Sequence, residues 1–220
     1  MAGARGYSQV TTNSLIYLID NTLDGQGASP RELRAVLGRM CEGVEILTEP
    51  FHAVSLKRVK SLKPSHIILS GQSDPWDRYP RESLAGVFEV IKKAAQPVLG
   101  VCGGHQQMAL AFGAPLGLMG RLEPGAGYEG AKRERGYFPV KTTGEGIFKD
   151  LPREITVWHS HFDEVKTLPK GFRRTASNET CSIQAMEHNE RPLFGVQFHP
   201  ELFNEEYPAG RRVLEKFLGM

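Results

Sequence analysis

Three residues have the types and setting that thiol chemistry needs. Cys102 lies in Gly100-Val101-Cys102-Gly103-Gly104-His105-Gln106, with glycines at 100, 103 and 104. Those glycines allow a sharp strand-to-helix turn that pushes one side chain into the open. Backbone N–H groups at 103 and 104, together with the positive end of a following helix, favour a thiolate and can stabilise an oxyanion. Such a nucleophile requires a base, and the base requires an orienting group. Among seven histidines, His199 in FGVQFHPE (194–201) is the best placed, at the end of an apolar run with Pro200 fixing the turn. Glu201, two residues on, can reach back to the imidazole. Cys41 and Cys181 lack glycine flanks and read as packed thiols.

The elements needed to position these groups are those of an α/β chain. Apolar runs at 14–20, 44–47, 66–70 and 97–101 read as buried strands alternating with helical patterns, the pattern of βαβ units and a parallel sheet. Ser29-Pro30-Arg31-Glu32 predicts a helix start with Ser29 as N-cap, and Leu33, Val36, Leu37 and Met40 supply its core face. Leu84, Val87, Phe88 and Ile91 mark another helix, and GGHQQMALAFG opens where the Cys102 turn ends and is capped at Gly113. Later runs, GYFPV, ITVW, DEVKTL, CSIQAM and LFGVQF, predict antiparallel strands added to one sheet edge. A last helix follows, with Val213, Leu214, Phe217 and Leu218 as its apolar stripe. The stretch from Leu122 to Gly136, rich in glycine, proline and charge, reads as a mobile surface loop.

With 220 residues, 40% of them hydrophobic and 24% charged, the chain suits a single globular domain. We expect a flexible tail over 1–13 and one domain over 14–220. Twenty-seven Lys and Arg against 25 Asp and Glu leave a net charge of +2. That balance gives no reason to expect a nucleic-acid partner. The run from Leu15 to Ile19 is too short for a membrane span, and three cysteines form no disulfide framework, so a cytoplasmic setting is expected. His159 and His161 alternate on a strand-like run, but no third ligand has suitable spacing, so no metal is expected. His105 reads as an exposed histidine at a helix start.

The pair GVCGGHQ (100–106) and GVQFHPE (195–201) resembles the class I glutamine amidotransferases, whose glutaminase domain carries a Cys-His-Glu triad. The resemblance spans nearly the whole chain, from the first strand with Asp20-Asn21 through IILSGQSDP (67–75) and WHSHFDEV (158–165) to HPE. Within the family, the segments from WHSHFDEV to HPE look most like the glutaminase part of GMP synthetase. Two features depart from that pattern: the loop reads Gly71-Gln72-Ser73-Asp74, and a second glycine follows Cys102.

The resemblance implies a flavodoxin-like open sheet, mostly parallel, with helices on both faces and a small antiparallel extension. It implies that Cys102 attacks the glutamine side-chain amide to form a thioester, with His199 as acid and base and Glu201 orienting it. Oxyanion donors would be backbone N–H groups of Gly103 and of Gly71 or Gln72. Gln106 and the segment Ser160, His161 and Phe162 would bind the amino-acid end of glutamine. No cofactor is implied. Because the chain has no phosphate-binding loop and no room for a synthetase, the ammonia is expected to pass to a separate synthetase partner. The alternative is a stand-alone γ-glutamyl hydrolase or peptidase using the same triad.

Overall fold

A computed structural model describes residues 14–119 and 132–220. The expected tail over 1–13 lies outside the described residues, as does 122–131 of the expected loop. The chain runs β1 (Leu15–Asp20), α1 (Ala28–Met40), β2 (Glu45–Pro50), α2 (Leu56–Leu62), β3 (His66–Leu69), α3 (Ala85–Lys93), β4 (Val98–Val101) and α4 (Gly103–Ala111). It continues with β5 (Leu116–Leu118), β6 (Glu134–Thr142), β7 (Glu154–His161), β8 (Asp163–Val165), β9 (Phe172–Ser177), β10 (Ala185–His188), β11 (Leu193–Val196) and α5 (Ala209–Leu218).

Among the described residues the main sheet has nine strands in the order β2-β1-β3-β4-β11-β10-β9-β6-β7. β2, β1, β3, β4 and β11 pair in parallel, while β10, β9, β6 and β7 extend that edge antiparallel. This is the expected α/β architecture. β5 and β8 form a separate two-stranded sheet, so the DEVKTL run leaves the main sheet. β9 and α2 carry weak periodicity and are not marked in the sequence.

Period-two alternation places the core on both faces of the sheet. From β1, Ile16 and Leu18 pack with Leu33 and Leu37 of α1 and with Val213, Leu214 and Phe217 of α5. Tyr17 and Ile19, pointing the other way, pack with Val59 of α2, Val87 and Ile91 of α3 and Met108 of α4. Both faces of the parallel strands are thereby covered. Among the described residues no helix is long and apolar enough to cross a membrane.

Two expectations change. The α1 helix begins one residue before Ser29, with Gly27 at the N-cap and no side-chain cap bond. Ser29 is inside the first turn because its hydroxyl is recruited by distant groups described below. Residues 134–136 open the nine-residue strand β6 and do not belong to a loop, because pairing with β7 supplies the backbone partners that a loop would take from water.

Two helical glycines separate propensity from packing. An alanine ordinarily favours a helix interior over glycine by ~1 kcal/mol. At Gly38 in α1 an added Cβ meets nothing within 4 Å, whereas at Gly86 in α3 it overlaps the Val54 carbonyl. Thermal unfolding should therefore show a higher midpoint for Gly38→Ala and a lower one for Gly86→Ala. A stabilised Gly86→Ala protein would contradict the close α3 packing.

Candidate active site

The parallel pairing of β4 with β11 places the two strand ends side by side, Val101 opposite Val196. Cys102 follows at once, its N–H donating to the Val196 carbonyl at 2.8 Å. Its backbone sits at φ 48° and ψ −101°, a conformation that non-glycine residues rarely adopt. Strain of this kind costs ~1–3 kcal/mol and persists only where the surroundings enforce it. Here enforcement comes from the strand pairing behind and α4 ahead. A Cβ at Gly104 would strike the Leu69 carbonyl and side chain, so only glycine lets α4 start this close to β3.

His199 is delivered from β11 and locked to β7, its N–H donating to the Trp158 carbonyl at 2.7 Å. Its Nδ1 lies 2.9 Å from Glu201 Oε1, and the Cys102 sulfur is close enough to act on the charge of the ring. With Nδ1 taken by Glu201, Nε2 is the ring nitrogen left for the sulfur. Burial opposes a charge on this ring, but the Glu201 carboxylate and the Cys102 sulfur outweigh it and raise its pKa well above the usual value. The imidazolium is therefore the favoured form. All three side chains are buried, at 5%, 8% and 3% exposure for Cys102, His199 and Glu201. Gln197 adds a side-chain N–H toward Cys102 Sγ at 3.7 Å, and the Ser160 carbonyl lies 3.9 Å from the same atom.

The side chain that sequence reasoning assigned to a cap has another use. Ser29 Oγ donates to Glu201 Oε1 at 3.1 Å and accepts from the Gly71 N–H at 3.0 Å. It thereby ties the carboxylate to the loop after β3. The Gly71 N–H is occupied by this bond, which leaves Gln72 of the two loop candidates. Its N–H would lie 2.7 Å from a Cβ at position 103, and its carboxamide fills the place such a Cβ would take. The two departures from the family pattern are thus one compensating pair: glycine at 103 makes room for glutamine at 72.

Around these groups is an open cavity of about 650 Å³, lined by Cys102, His199, Gln72, Trp158, Ser160, His161 and Phe162, with Glu32, Asp74 and Arg135 also contributing. A volume of this order holds a small molecule. Gln106 also borders the cavity, but its carboxamide accepts from Trp76 Nε1 at 2.7 Å and donates to the Asp163 carbonyl at 2.8 Å and Gln197 at 3.1 Å. It acts here as a brace between α4 and the segment 160–163. Tyr79 packs beneath the loop and donates to the Asn21 carbonyl at 2.7 Å.

His105 is fully buried, not exposed, because α4 enters the sheet N-terminus first and its opening turns have no free face. Burial pushes its pKa down to about 3, so the ring is neutral. Burial likewise raises the Cys41 and Cys181 thiols, which disfavours the reactive thiolate at both.

Glu134 carried no signal in the sequence, yet it is 3% exposed and sits opposite His161 in the β6–β7 register. Asn178, Thr180 and Gln184 all donate to its carboxylate, and His161 Nε2 lies 2.8 Å from it. Burial would raise its pKa, but the imidazoles of His159 and His161 and the Thr180 hydroxyl hold it well below the usual carboxylate range.

A family model described as glutamine amidotransferase class-I matches residues 33–219. The chain is 38% identical over 168 residues to a GMP synthase [glutamine-hydrolyzing] subunit of Thermococcus kodakarensis, covering 76% of this chain and 81% of that protein. The same-named protein of Pyrococcus abyssi is 38% identical over 176 residues, covering 80% and 85%. In GMP synthase [glutamine-hydrolyzing] of Lacticaseibacillus casei, 39% identity over 168 residues covers 76% of this chain but only 29% of that longer protein. The crystal structure of a Thermoplasma acidophilum protein described as a GMP synthase subunit superposes with a TM-score of 0.75 at 31% identity, covering 94% of this chain and 92% of that one.

The geometry predicts how His199 titrates. Nuclear magnetic resonance of the free protein should place its midpoint above the ordinary ~6.5 of histidine. Cys102→Ala removes one of the raising partners and should move the midpoint down. A midpoint at or below the ordinary value, or one indifferent to Cys102→Ala, would contradict the Cys102–His199–Glu201 alignment.

Proposed function

The chain belongs to the class I glutamine amidotransferase family, and on that premise we propose that it is the glutaminase component of a two-chain synthetase of the GMP synthase type. Cys102 attacks the side-chain amide carbon of glutamine, and the tetrahedral oxyanion is met by the N–H groups of Gly103 and Gln72. The His199 imidazolium protonates the departing ammonia. The neutral ring then takes a proton from water, which opens the γ-glutamyl thioester to glutamate and restores the thiol. Glu201 holds the ring and balances its charge throughout. The observation that carries this reading is the line Cys102, His199, Glu201 at the mouth of a cavity sized for a small zwitterion.

Glutamine bears an α-carboxylate and an α-ammonium. Arg135 at the cavity edge suits the first, and Glu32 and Asp74 suit the second. The released ammonia goes to a separate synthetase chain. Support for that comes from the relatives whose length matches this chain, which are named as one subunit of GMP synthase. It comes also from the Lacticaseibacillus protein, in which the matched region is under a third of the whole. These comparisons favour the amidotransferase over the independent hydrolase.

Glutaminase assays with and without the synthetase chain test the assignment. Cys102→Ala should abolish glutamate release, whereas Glu201→Gln should retain more activity, because an orienting group makes and breaks no bond. Full activity in Cys102→Ala would overturn the role of this thiol.

A second assay tests the cavity edge. Arg135→Ala should raise KM for glutamine roughly tenfold with kcat little changed, as for a lost charged contact made equally in ground and transition states. An unchanged KM would remove Arg135 from the substrate contact.

A further inference from the structure

His159 and His161 are alternate residues of β7 and face one side of it, and the β6–β7 register sets Glu134 directly opposite His161. Their side chains bring one imidazole nitrogen each and one carboxylate oxygen to within 4.8 Å of one another, all of them buried. The third ligand that the sequence spacing did not offer comes from the neighbouring strand.

The hydrogen bonds around this cluster leave a gap in its centre. His161 Nδ1 lies 3.0 Å from the Asp163 carbonyl, which can only accept, so the ring hydrogen sits on Nδ1. The lone pair of Nε2 then points at Glu134 Oε2, 2.8 Å away. Glu134 is itself held as an acceptor by Asn178, Thr180 and Gln184. Two electron-rich atoms at that distance require a positive centre between them, either a proton or a metal ion. His159 decides between these. Its Nδ1 lies 3.0 Å from the same Oε2, within ion-pair reach but off the line of a well-aligned hydrogen bond. Neither ring nitrogen has a hydrogen-bond partner among the described residues, although the ring is fully buried. Its neighbours Phe138 and Phe198 offer only ring contacts. A proton on His161 engages one imidazole, whereas a shared ion engages one nitrogen of each.

We propose that Glu134, His159 and His161 form a binding site for one divalent transition-metal ion of the zinc class. Nitrogen-to-oxygen separations of 2.8 and 3.0 Å match ligands about 90° apart at ~2.0–2.2 Å from a shared ion, and a tetrahedral ion would need the side chains to part by a few tenths of an ångström. The outer groups are those a metal site uses: a carbonyl fixing the tautomer of one histidine, and amide and hydroxyl donors fixing the carboxylate. Two imidazoles and a carboxylate suit zinc, cobalt or nickel better than calcium or magnesium. The ion bonds β6 to β7 directly behind Ser160, whose carbonyl lies beside Cys102 Sγ. Its role is to hold the segment 160–162 against the cleft, with no part in bond cleavage.

The test uses the full-length Cys102→Ala protein, so that the thiolate cannot act as a competing ligand, stripped with a chelator and titrated with zinc against a chromophoric competitor. One zinc per chain with a submicromolar Kd is expected. Replacing His159 by leucine, which suits its apolar surroundings, should weaken binding at least a hundredfold, and Glu134→Gln should do so independently. Circular dichroism establishes that each variant is folded, and zinc should raise the Tm of the parent but not of the His159→Leu protein. Cobalt in place of zinc should give visible absorption bands that the same substitution removes. Absence of stoichiometric binding, or equal affinity in a folded His159→Leu protein, would overturn the site and leave a proton on His161 as the bridging charge.

Discussion

The backbone pairing of β4 with β11 is the constraint on which the site depends. It brings residues nearly a hundred positions apart to adjacent strand ends, and the N–H of Cys102 is itself the last rung of that ladder. The strained conformation at 102 is tolerated because strand pairing on one side and the glycine-opened α4 on the other leave the residue no alternative. From the same ladder the chain runs three residues past β11 to His199, which bonds across to Trp158 of β7. The proposed nucleophile and base are thus positioned by main-chain bonds, which a single side-chain substitution does not release.

A second layer fixes what the main chain does not. Ser29 joins Glu201 to Gly71, so the orienting carboxylate and the loop carrying the Gln72 N–H move as one unit. Gln106 joins α4 to Asp163 on the opposite wall. His199 and both sides of the cleft are therefore held by two sets of largely buried hydrogen bonds. In such a network the loss of one member leaves the others unsatisfied, at ~1–3 kcal/mol for each orphaned group.

The parallel half of the fold was legible because its strands are continuous apolar runs and α1, α3 and α4 have clear apolar faces. The grouping of Cys102, His199 and Glu201 was legible for a related reason: a thiol at a strand-end turn needs glycines, and a histidine with a carboxylate two residues on is a local pattern. What was hidden depends on distance. Ser29 looked like a helix cap because caps are recognised from four neighbouring residues, while its actual partners are 42 and 172 positions away. Glu134 looked like loop charge because its burial follows from strand register, which no local pattern encodes. His105 looked exposed because a helix start is usually wet, whereas this one is driven into the sheet.

In the proposed mechanism Cys102 itself becomes covalently bonded to the substrate. Rapid mixing of the protein with glutamine, acid quenching within the first turnover and peptide mass spectrometry test it directly. A γ-glutamyl adduct is expected on the peptide containing Cys102 and none on those containing Cys41 or Cys181. Turnover with no adduct on Cys102 at any quench time, or an adduct on another residue, would contradict it.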